Sequence, residues 1–108
     1  MQNLQRALAF IESHLDDDLT LPHLAETLGV SPHHFAHVFR RTVGVAPHKY
    51  VIRRRVERAK ELLDTTDLPI VEIALSVGCA NQSHFSAMFH RFTGLTPHSY
   101  RTAQQAKR

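Results

Sequence analysis

Shifted against itself by 50 residues, the chain matches its own sequence. His34, Phe35, Phe39, Arg41, Gly44, Pro47, His48 and Tyr50 fall on His84, Phe85, Phe89, Arg91, Gly94, Pro97, His98 and Tyr100, eight identities in 17 positions. A shift of 49 adds Leu19, Ala25 and Gly29 onto Leu68, Ala74 and Gly78. The one-residue difference falls in the short turn after each glycine. Two copies are too few for a solenoid, which needs three or more repeats to build its continuous core. A duplicated small module is the architecture that remains.

The content of one copy identifies the module. In Leu21-Pro-His-Leu-Ala-Glu-Thr-Leu-Gly, Leu21, Leu24, Ala25 and Leu28 line one face of a short helix. Gly29 ends it, since glycine takes the left-handed conformation at a helix C-terminus without steric cost. Ser31 is placed to cap the next helix, and Pro32 suits its first turn. Small Ala25 lets the two helices cross closely. The second copy repeats the parts: Ile70, Ile73, Ala74 and Val77, then Gly78, then a cap at Asn81 and a helix bearing Phe85, Met88, Phe89 and Phe92. A helix, a tight glycine turn and a second helix make a helix-turn-helix.

Helical spacing dominates elsewhere. Leu4, Leu8, Ile11 and Leu15 fall on one helical face, as do Ile52, Val56, Ala59 and Leu63, and Pro and Gly lie between such segments. The spacing predicts an all-α, homeodomain-like duplicated fold of about seven helices, near 3–15, 21–28, 32–42, 47–64, 70–77, 82–92 and 97–103. As domains, this places a first helix-turn-helix unit at 4–46, a linker helix at 47–64 and a second unit at 65–103.

In the second helix of the first unit, Phe35, Val38 and Phe39 point to the core. His33, Ala36, His37 and Arg40 then share the outer face. The matching outer residues of the second unit are Ser83, Ser86, Ala87 and His90, with Gln82 at the N-terminus. Short or polar side chains of this kind suit a helix that enters the ~12 Å major groove. A linker helix of 18 residues is ~27 Å long, and successive major grooves on one side of a duplex lie ~34 Å apart. One chain is therefore expected to span two grooves.

Charge is divided by segment. Pro32 to Lys60 holds eight Lys/Arg and one acid, Glu57, whereas Glu61 to Asn81 holds only acids, and the last segment is basic again. That pattern implies one basic face. The only cysteine, Cys79, cannot form an internal disulfide, which fits a reducing cytoplasm. No apolar stretch approaches the ~20 residues of a membrane span, so no membrane role is expected.

At these residues the chain resembles the DNA-binding domain of the AraC/XylS family of transcription regulators, from about Leu4 to Tyr100. The stretch Ile73 to Arg101 resembles the family signature, with departures at Cys79 and His90, and Arg55, Ala59, Leu62 and Leu63 resemble the pattern in its linker. The resemblance implies base contacts from His33, Ala36, His37, Ser83, Ser86 and Ala87. It implies phosphate contacts from Ser31, His34, Arg40, Arg41, Gln82, His84, His90 and Arg91. Relatives often carry Arg where Ala87 sits, so the second unit is expected to read fewer bases. The implied partners are double-stranded promoter DNA and RNA polymerase, with a lean towards activation, at the cytoplasmic nucleoid. An isolated monomeric domain is expected. The chain is read as the C-terminal part of a longer regulator with an N-terminal effector or dimerisation domain, and a stand-alone regulator is the alternative.

Other chemistries are weakly supported. His33 and His37 have metal-ligand spacing, but no Cys or carboxylate completes a zinc site. No metal, cofactor or catalytic residue is assigned: phosphate loop, nucleophile elbow and paired carboxylates are all missing, and Asp16-Asp17-Asp18 reads as a solvated turn. A protein-interaction module with a basic face is the rival reading. His48 and His98 are expected to pack or cap. Tyr50 and Tyr100 are read as packing residues, with a phosphate contact as the other option. Arg55 is read as an ion-pair or DNA-contact residue, Arg53 and Arg54 as exposed, and Cys79 as a small core residue.

Overall fold

The computed structural model describes residues 2–107, with side chains from Leu4 onward. Seven helices follow in order among them: α1 (Gln2–Ser13), α2 (Leu21–Thr27), α3 (Pro32–Val43), α4 (Pro47–Thr65), α5 (Ile70–Ser76), α6 (Gln82–Thr93) and α7 (Pro97–Ala106). No strand occurs among the described residues. The chain divides into two compact units, Met1–Arg54 and Arg55–Arg108, with the boundary in the sequence of α4.

Local chemistry sets the helix ends. Ser31 accepts a hydrogen bond from the His34 N–H at 3.1 Å, and Asn81 accepts one from the His84 N–H at 2.8 Å. Each satisfies a donor that the first helical turn leaves open. At the C-terminus of α2, the Gly29 N–H donates to the Glu26 carbonyl and the Val30 N–H to Ala25, both at 3.1 Å. Gly78 and Cys79 repeat this after α5, donating to Leu75 and Ala74 at 3.1 and 3.0 Å. This is the double bond pattern of a Schellman cap, and it needs φ of +68° at Gly29 and +81° at Gly78. The turns then differ by one residue. Val30 leads straight to its cap Ser31, whereas Ala80 is inserted before Asn81.

Unit 1 buries Leu4, Ala7, Ile11, Leu15, Leu24, Ala25, Phe35, Phe39 and Val51 in one cluster. Unit 2 buries Val56, Ala59, Leu63, Ile73, Ala74, Val77, Cys79, Phe85 and Phe89. Ala25 and Ala74 have no exposed surface, as their place at the α2–α3 and α5–α6 contacts requires. Tyr50 meets Phe39 edge-on, with centroids 5.5 Å apart and planes at 72°, and Tyr100 meets Phe89 with the same values. The tyrosines thus pack beneath their units.

Several apolar positions of the periodic helix faces lie outside the buried core. Val38, expected to point to it, is half-buried. Leu21 and Phe92 are 36% and 42% exposed. Both sit in terminal helical turns, where a helix has fewer neighbours to cover its apolar side chains. On α4, Val51 is the buried residue of unit 1, while Ile52 is half-buried.

Each unit is braced internally by one arginine. Arg54 was expected to be exposed, yet it forms a bidentate ion pair with Glu12 of α1, at 2.9 Å from Nε and 2.7 Å from Nη2. The fork geometry favours the pair, although partial exposure limits it to about 1 kcal/mol or less. In unit 2 the start of α5 has Pro69 at its cap position and no side-chain cap. Arg101 braces the segment before it, donating to the carbonyls of Leu63, Thr66 and Leu68 at 3.1, 3.2 and 2.7 Å. The equivalent position of unit 1 is the apolar Val51.

Candidate nucleic-acid interface

α3 and α6 present their side chains alike. From residue 31 to 44 and from 81 to 94 the pattern of buried, half-buried and exposed positions is identical, residue for residue. Phe35 and Phe39 face inward in one unit, Phe85 and Phe89 in the other. The 3.6-residue repeat then turns the intervening positions outward.

On α3, His33, His37 and Arg40 are exposed and Ala36 is half-buried. On α6, Ser83, Ala87 and His90 are exposed and Ser86 is half-buried. Ser31, His34, Arg41, Gln82, His84 and Arg91 are exposed as well. Every residue singled out from the sequence therefore reaches the surface of its unit, on or beside one helix. The two caps carry a second consequence. Ser31 and Asn81 already hold the N–H of His34 and His84, so the first turns of α3 and α6 are fixed before any partner arrives.

Electrostatics separate the two helices. Arg40 and Arg41 lie in the last turn of α3, and His90 and Arg91 in that of α6. Arginines there complement the helix macrodipole and remain exposed to an anionic partner. The α3 face adds three imidazoles to its guanidinium groups. The α6 face offers two hydroxyls and a methyl group where α3 has His33, Ala36 and His37, so its hydrogen-bonding range is narrower.

The sequence reading assigned His48 and His98 to packing or capping. Both are exposed instead, and the cap of α7 is Thr96, whose side chain accepts from the Ser99 N–H at 3.0 Å. Cys79 is 3% exposed. Burial pushes its thiol above the ordinary value, against the opposing pull of the Arg55 guanidinium. A buried thiol held in the neutral form is a packing group and a poor nucleophile.

A shallow pocket of about 270 Å³ in unit 1 is lined by Phe10, His14, Asp17, Asp18, Leu19 and His23. His14 stacks on Phe10 at 3.9 Å, and its Nδ1 lies 2.8 Å from the Phe10 carbonyl oxygen. The volume falls below the ~300 Å³ at which small-molecule sites begin. No group of three or more His, Cys, Asp or Glu able to hold a metal occurs among the described residues. No helix among them is long and apolar enough to cross a membrane.

Comparison with known proteins places this geometry. A family model described as a helix-turn-helix domain matches residues 24–103. The regulatory protein PocR of Salmonella typhimurium is 35% identical over 80 residues, which are 74% of this chain and 26% of PocR. The chain spans between about a quarter and about a half of the length of the first curated relatives it matches. Among solved structures, the C-terminal domain of AraT, a response regulator from Geobacillus stearothermophilus, is 36% identical. Its TM-score is 0.92, over 95% of this chain and 86% of that one. The DNA-binding domain of AdpA, solved in complex with a target DNA, is 31% identical with a TM-score of 0.93, over 97% and 95% of the two chains.

Proposed function

The chain belongs to the AraC-type helix-turn-helix family, and from that premise we propose that it is the DNA-reading part of a transcription regulator whose α3 and α6 enter successive major grooves of promoter DNA. The observation that carries this reading is the matched exposure of α3 and α6, a surface duplicated together with its core. The likeness to a domain solved on its target DNA supports it, as does the unbroken run of α4 from Pro47 to Thr65.

Within this reading the roles divide by chemistry. His33, Ala36 and His37 meet base edges in the first unit, and Ser83, Ser86 and Ala87 do so in the second. Imidazole and hydroxyl groups exchange hydrogen bonds with base edges, and Ala36 and Ala87 offer methyl contact to thymine. Ser31, His34, Arg40, Arg41, Gln82, His84, His90 and Arg91 hold phosphates and so fix register. Unit 1 is the stronger reader, because three of its outer residues are imidazole or guanidinium groups. The proposed protein partner is RNA polymerase, with activation as the outcome. A relative named as a transcriptional activator, AarP of Providencia stuartii, is 36% identical over 72 residues. Unit 2 also exposes Val71 and Leu75 on α5, an apolar pair that suits a protein contact.

The two roles give opposite signatures. His37→Ala is expected to lower affinity for a selected site by about 1–3 kcal/mol and to leave affinity for random duplex nearly unchanged. Arg40→Ala is expected to weaken both DNAs alike and to reduce the dependence on salt. Titration of labelled duplexes checks both. Unchanged affinity for both DNAs in both variants removes α3 from the interface.

A further inference from the structure

Seven of the nine histidines lie in two stretches without a carboxylate. His33, His34, His37 and His48 fall between Pro32 and Val56, and His84, His90 and His98 between Gln82 and Lys107, where neither stretch contains Asp or Glu. All seven are exposed. Within these stretches the duplication sorts residues into two groups. Phe, Gly, Pro and Tyr identities between the copies follow from the core and the turns. The exposed identities are three: His34 with His84, Arg41 with Arg91, and His48 with His98. None of these six side chains has a hydrogen bond or ion pair among the described residues, so internal structure does not account for them.

His48 and His98 occupy the same place in each unit. α4 starts after Gly44, Val45 and Ala46, and α7 after Gly94, Leu95 and Thr96, so each histidine follows closely on a recognition helix that ends in basic residues. Each also stands two residues, or about 200° around the helix, from a tyrosine packed on the core phenylalanine. The imidazole is thereby turned away from the core.

On the reading that this chain binds duplex DNA, we propose that His48 and His98 are a matched pair of further phosphate contacts, one per unit, and that duplex binding takes up protons through them. The surrounding charges fit. In unit 1 the cations of α3 and of the part of α4 in that unit are Arg40, Arg41, Lys49, Arg53 and Arg54. The carboxylates Glu12, Asp16, Asp17, Asp18 and Glu26 belong to α1, the turn after it and α2, and Glu12 is engaged by Arg54. In unit 2 the cations of α6 and α7 are Arg91 and Arg101, with Lys107 at the C-cap of α7, and the carboxylates Glu57, Glu61, Asp64, Asp67 and Glu72 lie on α4, the following loop and α5. Asp64 acts on α7 through Tyr100, which burial first and then this charge push above the ordinary phenol value, and that is the side opposite His98. Among the described residues no acid pairs with either imidazole, and a phosphate supplies the counter-charge. A nearby anion favours imidazolium, so the bound state holds more protons and affinity rises as pH falls through the imidazole range.

The test compares the wild-type chain, the double variant His48→Asn/His98→Asn and the control His14→Asn/His23→Asn on a random-sequence duplex of about 25 base pairs, two to three helical turns. Affinity is measured against salt at pH 6 and pH 8, and proton uptake by calorimetry in buffers of different ionisation enthalpy. At pH 6 the double variant is expected to lose about 1.8 from the slope of log affinity against log salt, two contacts at ~0.9 each. It is also expected to take up fewer protons, with the control matching wild type. Duplex binding with the same slope and the same proton uptake in all three proteins overturns the pair while leaving the DNA reading intact. An equal loss in the control overturns it too. Failure of the wild-type chain to bind duplex at either pH overturns the DNA reading itself.

Discussion

Phe39→Ala is expected to lower the stability of unit 1 by about 3–5 kcal/mol, and Phe89→Ala to do the same to unit 2. Each ring has no exposed surface. Each is held between a second phenylalanine and a tyrosine: Phe35 at 5.7 Å and Tyr50 at 5.5 Å from Phe39, Phe85 at 5.8 Å and Tyr100 at 5.5 Å from Phe89. Truncation removes the transfer free energy of the ring and leaves a void that neighbouring helices fill only in part. At roughly 0.05–0.15 kcal/mol per residue, a unit of this size holds only about 3–8 kcal/mol, so either substitution removes much or all of its stability. Phe92→Ala is the internal control. It deletes the same ring from a position that is 42% exposed, and it is expected to cost under about 1 kcal/mol. Native-state hydrogen exchange reads the difference unit by unit. Loss of amide protection around Phe35 in Phe39→Ala is the expected result. Equal protection loss in Phe92→Ala would mean that burial does not set these stabilities.

The second large effect is on binding. Between 50 and 200 mM salt, affinity for duplex DNA is expected to fall by about 10³–10⁵, the loss that accompanies release of counterions from 6–10 phosphates. The expectation rests on the exposed cationic and polar residues of α3 and α6, and on the absence of any Asp or Glu from Pro32 to Val56 and from Gln82 to Lys107. Fluorescence anisotropy on a random duplex gives the slope directly. A chain that recognises an acidic protein surface shows a much shallower dependence, because its partner carries no condensed ion atmosphere. A log–log slope flatter than about −2 would correspond to only about two phosphates and would favour that rival reading.

Most of the fold was legible because its signals are local. Pro32, Pro47 and Pro97 stand at helix starts, Gly29, Gly44, Gly78 and Gly94 take positive φ at helix ends, and Ser31 and Asn81 cap as their side chains predict. The duplication doubled each signal, so an ambiguity in one copy was resolved by the other. The outer faces of α3 and α6 were legible for the same reason, since helical period alone fixes which residues oppose Phe35, Phe39, Phe85 and Phe89. What escaped were contacts whose partners are far apart in the chain. Arg54 meets Glu12 across 42 residues, and Arg101 reaches the Leu63 carbonyl across 38. Helical period places an arginine on a face and says nothing about which carboxylate or carbonyl lies opposite. His48 and His98 were misread because proximity to Pro47 and Pro97 suggested capping, whereas Pro97 itself is buried and Thr96 caps α7. Phe92 shares α6 with the buried Phe85 and Phe89 yet is 42% exposed, because period alone cannot tell where a core stops.

One chain is expected to read two successive major grooves with α3 and α6. Selection of bound duplexes from a random pool tests it, followed by insertion of about 5 base pairs, half a helical turn, between the preferred patches. Two patches about 10 base pairs apart are expected, with the patch read by α3 the more sharply defined. The insertion is expected to return affinity to that of random duplex. A single selected patch, or a pair whose affinity survives the half-turn insertion, would contradict the two-groove reading.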